Sequence, residues 1–167
     1  MVKALFLDRD GVVNVEKNYL HKPEDVEFVE GIVEVCRAYQ EKGYLVIIVT
    51  NQSGIARGYY SEEDFHHLSR WMIERMGELG VTITKIYHCP HHEEISGACD
   101  CRKPEPGMLL SARKEFGIDM AASVMIGDSE RDITAARRAG VGRSILLSAD
   151  AVSSEADRII HSLKELL

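Results

Sequence analysis

Two carboxylates, one residue apart, follow directly on an apolar segment near the start of the chain. Residues 4–7 read Ala-Leu-Phe-Leu, and Asp8, Asp10 and Gly11 come next. Such a segment has the length and apolarity of a buried strand, and open α/β sheets bind ligands at the carboxyl ends of their strands. Crowded carboxylates repel each other, so the pair predicts a bound cation, although alone it also fits a strand end with solvated acids. The residue spacing of an EF-hand loop is absent.

Polar residues follow two further apolar segments in the same way. Thr50 and Asn51 follow the second segment, and Asp128 follows the fourth. In a sheet ordered 3-2-1-4-5 the first and fourth strands are neighbours, so the acids at their ends converge on one crevice. Oxygen ligands of this kind suit Mg²⁺. We therefore predict a magnesium site formed by Asp8, Asp10 and Asp128.

The elements that must position these residues alternate regularly between strand and helix. Strand patterns cover residues 4–7, 44–49, 81–87, 123–126, 143–147 and 158–160. Helical patterns begin near residues 31, 61, 106 and 133, and Ser162 can cap a short terminal helix. This alternation predicts a doubly wound, Rossmann-like α/β fold with a parallel sheet ordered 3-2-1-4-5, to which residues 158–160 can add a sixth strand. No segment is long enough for a large cap domain.

Length and composition predict one domain over residues 1–167. The chain is 45% hydrophobic and carries a formal net charge of −7, which argues against a nucleic-acid surface. An anionic substrate must then be bound by a local metal, lysine or arginine, and Lys103, before the helix that leads into the fourth strand, is the candidate. No signal peptide and no membrane-spanning apolar run is evident, so we expect a cytoplasmic protein with no membrane partner. We also expect a monomer that acts on a small-molecule substrate.

Cysteine and histidine residues crowd into the loop at residues 88–106. Cys89, His91, Cys99 and Cys101 have a C-x-H…C-x-C spacing that suits a closed, tetrahedral, structural zinc site. Free thiols are the alternative. Lys103 follows the last cysteine closely, so a zinc site would anchor the loop that presents it.

These motifs together resemble those of the haloacid dehalogenase-like phosphatases. The four motifs are Asp8-x-Asp10-Gly11, Thr50-Asn51, Lys103 and Gly127-Asp128-x-x-x-Asp132. The blocks at residues 50–58, 89–92 and 99–110 are more similar to the branch of that family that acts on a heptose bisphosphate. The resemblance implies that the enzyme removes the C7 phosphate of the heptose bisphosphate and leaves heptose 1-phosphate. This product would serve the synthesis of nucleotide-activated heptose, a precursor of lipopolysaccharide or other surface polysaccharide. It also favours His91 over its neighbour His92 as the zinc ligand.

The resemblance implies a role for each residue of the catalytic set. Asp8 would be the nucleophile that forms an aspartyl-phosphate, and Asp10 would be the general acid and base. Thr50 and Lys103 would hold the phosphoryl oxygens, and Asp132 would orient Lys103 or the metal's waters. The magnesium ligands would be the carboxylates of Asp8 and Asp128 and the backbone carbonyl of Asp10.

Substrate selectivity is expected to come from short loops. The expected contacts are Glu16, Lys17, Asn18, Tyr19, Asn51, Gln52, Ser53, Arg57, Arg102 and Ser129. Arg102 would bind a second phosphate through its planar guanidinium. Tyr19 equally fits packing against its loop. Ser129 stands where relatives often have a lysine, and the segment between His91 and Cys99 is shorter than in some relatives.

Three other functions fit part of the pattern. Histidinol-phosphate phosphatases share the acid pair and the zinc loop, although residues 53–58 and 106–110 favour the heptose enzyme. A receiver-type signalling domain is also doubly wound, with clustered acids, but Asp10 and the cysteine loop argue against it. A zinc-organised binding module would lack catalysis altogether.

Overall fold

Six strands form the centre of the computed structural model, which describes residues 1–167. The strands are β1 (Lys3–Leu7), β2 (Tyr44–Asn51), β3 (Ile83–Cys89), β4 (Val124–Gly127), β5 (Arg143–Leu147) and β6 (Arg158–Ile160). The helices are α1 (Ile32–Glu41), α2 (Glu62–Glu78), α3 (Glu93–Ser96), α4 (Gly107–Phe116) and α5 (Glu130–Arg138). Short 3₁₀ turns lie at Pro23–Asp25, Met120–Ala122 and Leu163–Leu166.

All strand pairs are parallel, and the sheet order is β3-β2-β1-β4-β5-β6. This order confirms the predicted doubly wound sheet, including its sixth strand. The segments between strands hold at most two α-helices with loops and 3₁₀ turns, and none forms a cap domain. No helix is both long enough and apolar enough to cross a membrane.

Two hydrophobic cores cover the two faces of the sheet. Leu5 and Leu7 of β1 face one core, which α1 and α2 cover, and Phe6 faces the other, which α4 and α5 cover. The alternation follows from the strand geometry, in which successive side chains point to opposite faces. Each fully buried side chain of this size contributes roughly 1.5–3 kcal/mol to stability. The central strands, and the site at their ends, are therefore held rigidly.

The differences from the predicted elements lie at element ends, apart from one short additional helix. β3 begins two residues after its predicted start, because the backbone N–H of Val81 closes the end of α2 by donating to the carbonyl of Met76. β3 then continues to Cys89, which puts the first cysteine of the loop on a strand. The predicted terminal helix is a single 3₁₀ turn capped by Ser162. The short helix α3, inside the cysteine loop, was not predicted.

Candidate active site

Two of the three acids predicted to converge, Asp8 and Asp128, meet at the carboxyl ends of β1 and β4, where Asp132 joins them; Asp10 lines the same cleft but lies outside this cluster. The carboxylate oxygens of Asp8, Asp128 and Asp132 all lie within 4.8 Å of one another. The backbone ties the two strand ends together, because the N–H of Asp8 donates to the carbonyl of Ile126 at 3.1 Å. Asp8 and Asp132 are buried, whereas Asp128 faces the mouth of a cleft.

Two glycines make this close approach sterically feasible. Gly11 has a φ of +92°, and a Cβ built on it would lie 2.1 Å from Oδ2 of Asp128. A Cβ built on Gly127 would lie 2.2 Å from Cβ of Asp132. Any other residue at these two positions would displace an acid, so both glycines are needed for the acids to come together.

Lys103 links the acids to the cysteine loop. Its ammonium group lies 2.8 Å from Oδ1 of Asp8, 2.6 Å from Oδ1 of Asp132 and 2.9 Å from the carbonyl oxygen of Val49. The side chain of Asn51 fixes the backbone of Lys103. Its Oδ1 accepts from the N–H of Lys103 at 2.9 Å, and its Nδ2 donates to the carbonyl of Lys103 at 3.1 Å. The ammonium therefore has three protein acceptors and a fixed position.

The electrostatics of the site are those of a crowded, buried anion cluster. Burial raises the pKa of Asp8 well above its ordinary value, and Asp132 and Asp128 add to this while Lys103 opposes it. Desolvation likewise raises the pKa of Asp128. Burial alone would lower the pKa of Lys103, but the carboxylates of Asp8 and Asp132 outweigh it and raise that pKa. One lysine does not balance three carboxylates, so the site favours a further cation.

The donor set fits magnesium. Asp8 and Asp128 present hard oxygen ligands of the type that Mg²⁺ takes in proteins. Asp132 is otherwise engaged, because its Oδ2 accepts from the backbone N–H groups of Asp128 and Ser129 at 3.1 and 3.2 Å, and its Oδ1 contacts Lys103. It is therefore built to orient Lys103 and the start of α5.

Asp10 belongs to a different network from that of the other acids. Its carboxylate accepts from Arg9 at 3.1 Å, from Asn14 at 3.0 Å and from Gln52 at 3.1 Å. Arg9 is 1% exposed and also donates to the carbonyl of Leu20. Sequence reasoning missed Arg9 and Asn14. The available signal was the position of Arg9 between two acids, where a guanidinium can pair with a carboxylate.

Thr50 and Gln52 join the second strand to this network. The hydroxyl of Thr50 accepts from the Gln52 amide at 2.8 Å, and the hydroxyl of Tyr60 donates to the Gln52 carbonyl oxygen. Burial raises the pKa of Tyr60 to about 12, so it stays a neutral donor. The sequence analysis also missed Tyr60, because nothing in its local sequence marks it as a partner of Gln52.

Two adjoining clefts open above these networks. The inner cleft, of about 220 Å³, has no apolar lining residue and is bounded by Asp8, Asp10, Glu16, Asn51, Lys103, Asp128, Ser129, Arg131 and Asp132. The outer cleft, of about 290 Å³, is bounded by Asp10, Glu16, Asn18, Tyr19, Asn51, Gln52, Ser53, Tyr60, Arg102 and Arg131. Arg131 lines both clefts and was missed by the sequence reasoning.

Most of the predicted substrate contacts line these clefts, and the exceptions are specific. Lys17 forms an exposed ion pair with Glu27 at 3.5 Å, and Arg57 is exposed; neither lines the inner or the outer cleft. Ser129 lines the inner cleft, but its hydroxyl caps α5 by accepting from the backbone N–H of Arg131. Tyr19 both lines the outer cleft and packs edge-on against Tyr59, with ring centroids 4.7 Å apart.

The cysteine loop brings its four candidate ligands together. The ligand atoms of Cys89, His91, Cys99 and Cys101 lie within 4.8 Å of one another. Four of their separations are 3.3–3.6 Å, and a tetrahedral zinc site with bonds of roughly 2.0–2.3 Å spaces its ligands roughly 3.3–3.8 Å apart. The sulfurs of Cys89 and Cys101 are in bonding contact, so a disulfide is the alternative arrangement.

The loop also orients Arg102. Its guanidinium lies 3.2 Å from Glu93 and donates to the carbonyl of His91 at 3.4 Å. Because His91 is one of the four clustered ligands, the position of Arg102 depends on whether zinc or a disulfide holds that cluster together.

Comparisons with known proteins agree with this geometry. The haloacid dehalogenase-like hydrolase family matches residues 3–140. The chain is 48% identical over 165 residues to D-glycero-alpha-D-manno-heptose-1,7-bisphosphate 7-phosphatase of Campylobacter jejuni, covering 99% of this chain and 94% of that protein. It is 53% identical over 149 residues to D-glycero-beta-D-manno-heptose-1,7-bisphosphate 7-phosphatase of Vibrio cholerae, covering 86% and 80%.

A solved structure extends the agreement to the fold. D,D-heptose 1,7-bisphosphate phosphatase of B. bronchiseptica, complexed with magnesium and phosphate, superposes with a TM-score of 0.85 at 29% identity, covering 97% of this chain and 94% of that one. These matches confirm the resemblance that the motifs indicated. The chain thus belongs to the haloacid dehalogenase-like hydrolase family, in the group that contains the heptose-1,7-bisphosphate 7-phosphatases.

Proposed function

We propose that this chain is a magnesium-dependent phosphatase that removes the C7 phosphate of D-glycero-D-manno-heptose 1,7-bisphosphate and releases heptose 1-phosphate. The observation that carries this proposal is the meeting of Asp8, Asp128 and Lys103 at one cleft, beside an outer cleft that two arginines line. The relatives named above act, by their names, on this class of substrate. A sugar with a phosphate at each end matches two adjoining polar clefts.

Asp8 is the nucleophile in this mechanism. Its carboxylate oxygen attacks phosphorus, the bond between phosphorus and the C7 oxygen breaks, and Asp10 donates a proton to that leaving oxygen. Asp10 then takes a proton from the water that attacks the aspartyl-phosphate, and the phosphorus–Asp8 bond breaks to release phosphate. Arg9, Asn14 and Gln52 hold the Asp10 carboxylate in place for both transfers.

The phosphoryl group needs positive charge and hydrogen-bond donors around it. Asp8 and Asp128, with the backbone carbonyl of Asp10, would hold Mg²⁺, which when bound offsets the charge of the acids and of the phosphoryl oxygens. Lys103 lines the inner cleft and would contact the phosphoryl oxygens. Thr50 is 1% exposed and lines neither cleft, so the contact of its hydroxyl with the phosphoryl group stays a prediction. Asp132 keeps Lys103 charged and in place.

A comparison of substrates tests this function. With magnesium present, we expect kcat/KM on heptose 1,7-bisphosphate to exceed that on histidinol phosphate by about 100-fold or more, since the outer cleft would lose an anionic partner with the second compound. Steady release of many phosphates per chain would also exclude a receiver domain, which accepts phosphate once. A preference for histidinol phosphate would overturn the assignment.

Arg131 is the residue that we expect to recognise the second phosphate together with Arg102. Asp8, Asp132 and the Val49 carbonyl hold Lys103 beside the nucleophile, so it serves the transferring phosphoryl group and a different cation must bind the distal phosphate. Arg131 is exposed, lines both clefts and lies in the first turn of α5, where a positive charge is disfavoured by the helix dipole. An anionic ligand bound beside Arg131 would offset this unfavourable position.

Replacing Arg131 with alanine should therefore weaken binding of the bisphosphate selectively. We expect kcat/KM to fall about 10- to 100-fold on heptose 1,7-bisphosphate, mainly through KM, as for the loss of one charged hydrogen bond. Heptose 7-phosphate, which lacks the second phosphate, should be hydrolysed equally by both proteins. Arg137→Ala, on the same helix and paired with Glu155, is the matched control and should have no effect. An equal loss on both substrates would contradict the assignment.

We also propose that the cysteine loop binds one structural zinc ion through Cys89, His91, Cys99 and Cys101. Protein washed with a weak chelator should retain about one zinc per chain, as closed thiolate sites do. Cys99→Ser should lose that zinc and melt at a lower temperature, because the zinc-binding free energy contributes to folding.

The disulfide alternative makes the opposite prediction for the same variant. If Cys89 and Cys101 were oxidised to each other, Cys99→Ser would leave stability unchanged and the protein would contain no zinc. Thiol titration of the wild-type protein, denatured but not reduced, would then detect only two of its four cysteines as free thiols, whereas the zinc site predicts that all four react. Cys36→Ser, at a buried thiol outside the loop, is the control for zinc content.

A further inference from the structure

A second group of metal-ligand side chains lies on α2 and β3, outside both the acid cluster and the cysteine loop. Glu62, His66 and His88 bring a carboxylate oxygen and two imidazole nitrogens within 4.8 Å of one another. His88 precedes Cys89 in the strand, and successive strand side chains point to opposite faces. Cys89 packs on the core that α4 and α5 cover, so His88 points to the other face, towards α2.

The distances in this group suit coordination of one ion. Nε2 of His88 lies 2.8 Å from Oε2 of Glu62, and Nε2 of His66 lies 3.4 Å from the same oxygen. Ligands bound to zinc at roughly 2.0–2.1 Å in a tetrahedron are roughly 3.3 Å apart. Small side-chain rotations would therefore place an ion between the three atoms. Glu62 and His66 are four residues apart on α2, so they share one face of the helix.

Packing holds the imidazole rings in this arrangement. Phe65 is buried and stacks on His88, with ring centroids 4.1 Å apart and planes at 23°. His66 meets both Phe65 and His88 edge-on, with centroids 5.5 Å apart in each case. Two ligands lie on a helix that a capping box at Ser61 starts, and the third lies on a sheet strand. The ligands are thus pre-oriented on rigid elements.

We propose that Glu62, His66 and His88 form an exchangeable site for a divalent transition-metal ion of the zinc type. Two imidazoles and one carboxylate suit such ions, whereas magnesium prefers oxygen ligands alone. Three protein ligands leave a position for water, and Glu62 and His66 are exposed, so the ion exchanges more readily than one held by three thiolates. The bound ion would link the start of α2 to the end of β3.

Calorimetric titration with zinc tests the site. The starting protein carries zinc in the cysteine loop only, and excess magnesium is present to occupy the acids at the strand ends. We expect the wild-type protein to bind one further zinc per chain. His66→Ala and Glu62→Gln should lose this second equivalent, and His67→Ala, the neighbouring exposed histidine on α2, should keep it.

Cobalt identifies where the second equivalent binds. Co²⁺ at imidazole and carboxylate ligands should give only weak visible bands, without the intense near-ultraviolet absorption of a cobalt–thiolate site. Absence of a second equivalent in the wild-type protein would overturn the proposal. An unchanged second equivalent of zinc in His66→Ala would also overturn it, as would cobalt–thiolate absorption when cobalt is added in place of that second zinc.

Discussion

Replacing Asp8 with asparagine should abolish turnover while leaving the fold intact. Asparagine has nearly the same shape, and its side-chain oxygen can still accept from Lys103, but its amide cannot form an acyl phosphate. We expect kcat for phosphate release to fall by about 10⁴-fold or more, as for other nucleophile replacements. The measurement is steady-state phosphate release on heptose 1,7-bisphosphate with saturating magnesium.

The control for this replacement is Asp150→Asn, at an exposed aspartate in the loop between β5 and β6. Its activity should equal that of the wild-type protein. Circular dichroism and thermal melting of Asp8→Asn should report a folded protein. If Asp8→Asn is folded and keeps activity within about tenfold of wild type, Asp8 is not the nucleophile.

Replacing Lys103 with methionine should have the second large effect, on both activity and stability. The ammonium group is buried between Asp8 and Asp132, and removing it leaves two acids without their counterion. Breaking a buried ion pair in this way costs about 3–5 kcal/mol of unfolding free energy. Loss of a charged donor to the phosphoryl group should lower kcat by about 10²- to 10³-fold.

Two further variants separate these effects. Lys103→Met combined with Asp132→Asn should recover part of the stability, because one uncompensated charge is gone, but none of the activity. Lys85→Met removes an exposed lysine that lies 2.7 Å from Glu115, and should change the unfolding free energy by only about 0–1 kcal/mol. Equal urea midpoints for Lys103→Met and Lys85→Met would contradict the role assigned to the buried lysine.

The fold and the central acids could be predicted because they depend on local patterns. Apolar strands such as residues 4–7 and 44–49 end in polar residues, and the parallel-sheet order then determines which strand ends are neighbours. That reasoning brings Asp8 to Asp128 without any knowledge of side-chain contacts. The same reasoning indicates Lys103, which precedes the helix leading into the fourth strand, as the cation nearest to these acids.

The residues that were missed depend on contacts between distant parts of the chain. Arg9 is held by Leu20 and Gln52 as well as by Asp10, and Tyr60 reaches Gln52 across a turn. Arg131 lines the clefts because α5 begins where β1 and β4 end, which is a property of the packed sheet. Element ends, such as the start of β3, are equally non-local, because hydrogen bonds from the end of α2 decide them.

The same limit applies to the loop contacts. Lys17 and Arg57 belong to segments that were predicted to reach the sugar, and the neighbours Asn18 and Ser53 do line the outer cleft. Asn18 and Tyr19 adopt left-handed backbone conformations, with φ of 55° and 62°. Such a turn changes the direction of successive side chains. Asparagine is one of the residue types that favour this conformation, but tyrosine is not, so two successive left-handed residues are not expected from the sequence.

Trapping the covalent intermediate tests the central claim most directly. The wild-type protein is mixed with magnesium and heptose 1,7-bisphosphate, quenched during turnover and treated with borohydride, which reduces an aspartyl-phosphate to homoserine. Peptide mass spectrometry should find homoserine at residue 8, and only when substrate is present. Homoserine at Asp10, Asp128 or Asp132 instead, or an unmodified Asp8 in an enzyme that is turning over, would contradict the account.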